Sequence, residues 1–104
     1  MKKYNSIQDI RDAIDKIDLE IIDLISDRKD LVDEVVKLKK KDQIVDQERI
    51  DFILNKLNHE AKKRGIPEQL VEKIWSIMIK TFIEYETKVY DSVHKKYIIL
   101  FHQP

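Results

Sequence analysis

From Ser6 to Lys41 the apolar residues fall at Ile7, Ile10, Ile14, Ile17, Ile21 and Leu24, then at Leu31, Val35 and Leu38, in steps of three and four. That period is helical, and no Gly or Pro interrupts it. A rod of this span measures roughly 54 Å, whereas a compact hundred-residue domain has a radius of gyration of only about 13 Å. Its own domain cannot cover so long a helix. The seam therefore predicts packing against the same helix of a second chain as well as against later helices of its own, in an intertwined homodimer. One seam position is not apolar. Between Leu24 and Leu31 the repeat meets Arg28, and a guanidinium there is unfavourable unless something anionic meets it.

The remaining sequence agrees with an all-α chain. Of 104 residues 38% are charged and one is Gly, the composition of long solvated helices, while 42% apolar residues suffice for one core. Lys plus Arg and Asp plus Glu each number 20, which removes the electrostatic case for nucleic acid or an anionic membrane as partner. There is no Cys, hence no disulfide and no thiolate nucleophile. Met1-Lys2-Lys3-Tyr4 begins like the charged region of a signal peptide, but Gln8, Asp9, Arg11 and Asp12 break the stretch that would have to be apolar. No run approaches the roughly 20 apolar residues of a membrane span. The expectation is a cytoplasmic protein.

Ser6, with Asp9 three residues on, predicts the cap of the first helix. Lys40 to Gln43 is a polar break. Asp46 is a good N-cap for a second helix carrying Ile50, Ile53, Leu54, Leu57 and Ala61, which Gly65 closes. Pro67 fits the first turn of a third helix. That helix carries Leu70, Val71, Ile74, Trp75, Ile77, Met78, Phe82, Ile83, Tyr85, Val89 and Tyr90, a stripe wide enough to be buried on more than one side, and is expected to end near Val93. Trp75 and Met78 belong to the core in this reading. The tail Tyr97-Ile98-Ile99-Leu100-Phe101 has β-type composition and no turn to pair it, so the chain divides into a helical domain, 1–96, and a terminal extension, 97–104.

Cations stand where a bundle would accept hydrophobes. Arg28 and Lys39 are three turns apart on one face, roughly 16 Å along the axis, close enough for two long side chains to converge. Arg11 lies roughly 25 Å before Arg28, too far to share a small ligand with it on one rod, but an antiparallel partner brings it into the other chain's site. Arg49, in the first turn of the second helix, adds a fourth cation if that helix folds back. Four cations around a cleft call for a small dianion. Glu86 is the opposite outlier, a carboxylate among Ile79, Phe82, Ile83, Val89 and Tyr90, and is expected to be partly buried. Each signal also has a plain structural explanation. Arg28 can serve an interchain salt bridge, Lys39 sits in the basic run Lys37 to Lys41 at a helix end, Arg11 and Arg49 can be surface charges, and Glu86 can simply pair with a lysine. His59, His94 and His102 are scattered and suggest no metal site.

The pattern Asp9-Ile10-Arg11-Asp12-Ala13-Ile14-Asp15-Lys16-Ile17-Asp18, then Arg28, Lys39 and Asp46-Gln47-Glu48-Arg49, resembles the all-helical chorismate mutase type II family from about Ile7 to Tyr90, and its first helix is similar to the isochorismate-pyruvate lyase branch. The resemblance implies a three-helix protomer, a homodimer with two active sites, and Arg11 donated to the partner's site. It implies Arg28, Lys39 and Glu86 as catalytic residues and Arg11, Val35, Asp46, Arg49, Ile50 and Phe82 as substrate-binding ones. The substrate is then a small dicarboxylate, and no cofactor or metal is called for. Ile50 offers no polar partner to a ring hydroxyl, which within the resemblance favours the lyase reaction, isochorismate to salicylate and pyruvate, over the mutase reaction, chorismate to prephenate. Many members have glutamine where this chain has Glu86, which can donate to an ether oxygen only when protonated. A non-catalytic dimerisation or regulatory module of the same fold is the reading from another class.

Overall fold

The computed structural model describes the backbone of residues 3–102 and the side chains of residues 3–93. In order, the elements are α1 (Ile7–Leu38), a 3-10 turn (Lys41–Gln43), α2 (Gln47–Lys63) and α3 (Glu68–His102). No strand occurs among the described residues, so the all-α expectation of three helices holds. The chain divides into two compact units, Met1–Leu31 and Val32–Pro104.

The first unit is the larger part of α1. The Ser6 hydroxyl accepts from the Asp9 N–H at 3.0 Å, so the cap read from the sequence forms, and Gln8 Nε2 donates to Asp12 Oδ1 at 2.8 Å one turn on. The seam residues Ile7, Ile10, Ile14, Ile17, Ile21 and Leu24 are all exposed in the single chain, from 44% at Ile10 to 68% at Ile7. These six residues form one helical stripe, the surface through which the expected homodimer would pack.

The second unit holds the last turns of α1, the connecting turn, α2 and α3. Helix α1 ends at Leu38, three residues earlier than the periodicity predicts, because the Lys39-Lys40 backbone turns into the 3-10 segment. The Lys39 N–H still donates to the Val35 carbonyl at 3.1 Å, which keeps Lys39 on the helical register. Val36, 1% exposed, is the residue that this end of α1 buries, while the seam residues Val35 (42%) and Leu38 (86%) face outward. Gln43 Oε1 accepts from the Lys40 N–H at 2.8 Å, closing the turn, and Ile44 behind it is buried.

Asp46 caps α2 as expected, its Oδ1 accepting from the Arg49 N–H at 3.0 Å. At the other end the Gly65 N–H donates to the Lys62 carbonyl and the Ile66 N–H to the Ala61 carbonyl, the paired bonds of a Schellman closure. Gly65 supplies the φ of +67° that this closure needs. Pro67 stands just before Glu68, and its carbonyl accepts from the Leu70 N–H at 3.1 Å.

Helices α2 and α3 pack against each other, and the core of the chain is Val36, Ile44, Ala61, Val71 and Ile79. The broad α3 stripe is only partly buried: Trp75 and Met78 are half-buried, and Leu70, Ile74 and Ile77 are exposed in the single chain. Helix α3 also continues to His102 instead of stopping near Val93. No Gly or Pro lies between Val93 and His102, so nothing ends the helix there. The tail expected as an irregular extension is thus helical in its backbone up to His102, and its side chains lie outside the described residues.

Candidate active site

Among the described residues Glu86 is the one charged residue that is buried, at 8% exposure. It lies on the α3 face that carries Ile79, Phe82 and Ile83, at the helical spacing that sets four residues on one side. Its carboxylate meets Lys39, whose Nζ stands 3.5 Å from Glu86 Oε2, with side-chain exposures of 25% for Lys39 and 10% for Glu86. At that separation the pair is held by charge more than by a directed hydrogen bond. Removing either partner strands the other in a poorly solvated place.

Lys39 also lines an open cleft of about 430 Å³ formed with Asp42, Gln43, Val45, Asp46, Gln47 and Glu48. Beside Val45 its walls carry one ammonium, three carboxylates and two side-chain amides. Asp46 therefore has two duties, as helix cap and as wall.

Of the residues expected to form a site, the structure brings Lys39 and Glu86 into contact and sets Asp46 in the same cleft as Lys39. Arg49 is exposed, its guanidinium 5.3 Å from the centre of the Phe52 ring, with Lys56 Nζ 5.9 Å from the same ring. Ile50 is half-buried and does not line this cleft, whereas Glu48 does. Val35 is exposed, and Phe82 is half-buried with its ring edge-on to Tyr85, centroids 6.3 Å apart. In the first unit Arg28 is half-buried and Arg11 exposed.

Two contacts escaped the sequence reading. The Tyr85 hydroxyl donates to Asp33 Oδ1 across 52 residues of chain, and Lys41 Nζ meets Asp91 Oδ1 at 3.4 Å. No periodicity signals a pairing between a tyrosine in an apolar stripe and an aspartate on another helix. The cleft residues Gln47 and Glu48 were legible as part of the motif after Asp46, but Asp42 and Gln43 looked only like a polar break.

Comparison with known proteins bears on the family of the chain. Residues 10–87 match the family described as chorismate mutase type II. The chain is similar, at 29% identity over 91 residues, to a bifunctional chorismate mutase/prephenate dehydratase of Buchnera aphidicola subsp. Acyrthosiphon pisum (strain APS). That alignment covers 86% of this chain and 24% of the relative, so the chain spans about a quarter of the length of the protein it matches.

Proposed function

The chain belongs to the chorismate mutase type II family, and from that premise we propose that it is a pericyclic enzyme that rearranges chorismate to prephenate. The observation that carries this reading is the buried Glu86 carboxyl meeting Lys39 at the wall of a polar cleft. In the rearrangement one ether C–O bond breaks as one C–C bond forms, with no nucleophile and no net proton transfer. The enzyme has two tasks: to hold the enolpyruvyl chain over the ring, and to stabilise negative charge growing on the ether oxygen. Lys39 serves the second task by donating to that oxygen, and Glu86, the carboxyl it meets, is the second group at that place. The motif arginines Arg11, Arg28 and Arg49 serve the first, gripping the two carboxylates, with Arg11 supplied by the partner in a homodimer. The exposed apolar seam of α1 supports that dimer. Asp46, Val35 and Phe82 complete the substrate-binding set.

The matched relative, whose name includes chorismate mutase, supports the mutase reading, and so does Glu48 in the cleft, an acceptor for a ring hydroxyl. A second reading, isochorismate to salicylate and pyruvate, rests on the first-helix pattern around Arg11 and on Ile50, the half-buried residue after Arg49. Purified protein given chorismate and isochorismate in separate reactions decides between them: the proposal expects prephenate from chorismate faster than salicylate from isochorismate. Salicylate as the faster product would establish the lyase reading. Turnover of neither substrate would leave a non-catalytic helical module.

A further inference from the structure

Three contacts tie α3 to the end of α1 and its following turn, in matching order along both: Tyr85 to Asp33, Glu86 to Lys39, and Asp91 to Lys41. The outer two flank the central pair. The Lys41–Asp91 pair is more than half exposed on both sides, and exposed ion pairs contribute little. The Tyr85–Asp33 bond is part-buried and charge-assisted, and the Tyr85 ring is set by its edge-on contact with Phe82. Tyr85 adjoins Glu86 in the chain, and Asp33, Val36 and Lys39 follow one another in steps of three, with Val36 buried between the two polar residues. A hydroxyl fixed on Asp33 therefore sets both the rotation of α3 and its height against the turn that carries Lys39.

We propose that Tyr85 and Asp33 are positioning residues: their hydrogen bond holds α3 so that Glu86 Oε2 meets Lys39 Nζ. Neither residue touches the reacting atoms. The inference rests on the site reading given under Proposed function for its effect on rate, and on the Lys39–Glu86 contact alone for its effect on structure.

The test uses Tyr85→Phe, Asp33→Ala, Asp33→Asn and the Tyr85→Phe/Asp33→Ala double variant of the full chain. Two readouts apply. With chorismate as substrate, Tyr85→Phe and Asp33→Ala each lower kcat roughly ten-fold while KM stays close to wild type, because a small misplacement of the reacting geometry weakens the transition state more than binding. Asp33→Asn, which keeps an acceptor oxygen at that place, recovers most of the loss seen with Asp33→Ala, and the double variant is no slower than the worse single one. Independently of activity, acetylation of Lys39 by a water-soluble anhydride, read by mass spectrometry, becomes several-fold faster in Tyr85→Phe as the ammonium loses its fixed partner. Wild-type kcat together with unchanged Lys39 labelling in Tyr85→Phe overturns the proposal, as do additive losses in the double variant. If the wild type turns over neither substrate, the functional reading fails, and the labelling arm alone decides whether Tyr85 positions the pair. Because Tyr85→Phe removes only one oxygen atom, it keeps the test open should Asp33→Ala fail to fold.

Discussion

A carboxyl that is 8% exposed and 3.5 Å from an ammonium can be a structural tie or a proton donor in waiting. Chemistry separates the two uses. A carboxyl donates to an ether oxygen only with its proton on, whereas an amide donates at any pH. If Glu86 is the donor, Glu86→Gln, whose amide has the same reach, keeps turnover of chorismate while Glu86→Ala loses it. Equal rates in the two variants remove Glu86 from the mechanism and make it a tie. Glu60 illustrates the other kind of carboxyl. The Arg64 guanidinium that donates to it, with help from Lys63, holds its pKa below the ordinary value. A lowered folded-state pKa gives stability that is fully present above the unfolded value and is lost as pH falls through the folded one. Thermal unfolding followed against pH is therefore expected to show a slightly shallower acid-side decline for Glu60→Gln than for wild type.

Among the elements, the ends carry the most local information. Asp46 accepts from the Arg49 N–H, so Asp46→Ala is expected to destabilise the fold by about 1 kcal/mol in urea denaturation, and to disturb a cleft wall as well. Gly65 has φ +67° with open space where a Cβ would stand, so Gly65→Ala meets no clash, and its expected loss of about 1 to 2 kcal/mol is purely conformational. Both ends of α2 were legible because a cap and a glycine act within a few residues of sequence. The start of α1 was legible at Ser6 for the same reason. The end of α3 was not: β-type composition at Tyr97 to Phe101 suggested a break, but without Gly or Pro the helix runs on to His102. Within the candidate site, Lys39 and Glu86 stood out as charges in apolar patterns, and the structure pairs them. Asp33 and Tyr85 did not stand out, because their significance lies in a contact across 52 residues that no local pattern encodes. Ile50 follows Arg49 in the sequence but points elsewhere, since one helical step turns a side chain by about 100°.

For the molecule as a whole, the apolar face of α1 is the dominant unmet demand. Six seam residues from Ile7 to Leu24 are exposed in the single chain, and α3 adds Leu70, Ile74 and Ile77. The homodimer proposed above would cover the α1 seam and bring in the partner's Arg11. Sedimentation is expected to give twice the mass of one chain, and Ile14→Lys to shift the protein toward the monomer with loss of turnover. A wild-type monomer that retains full activity would remove Arg11 donation from the mechanism. The central claim, that Lys39 opposite Glu86 is where the ether bond is broken, is tested most directly by kcat for chorismate in the wild type and in Lys39→Ala. The account predicts a loss on the order of a hundred-fold or more, the scale of removing one preorganised donor to a developing oxyanion. A Lys39→Ala enzyme that forms prephenate at the wild-type rate would contradict it.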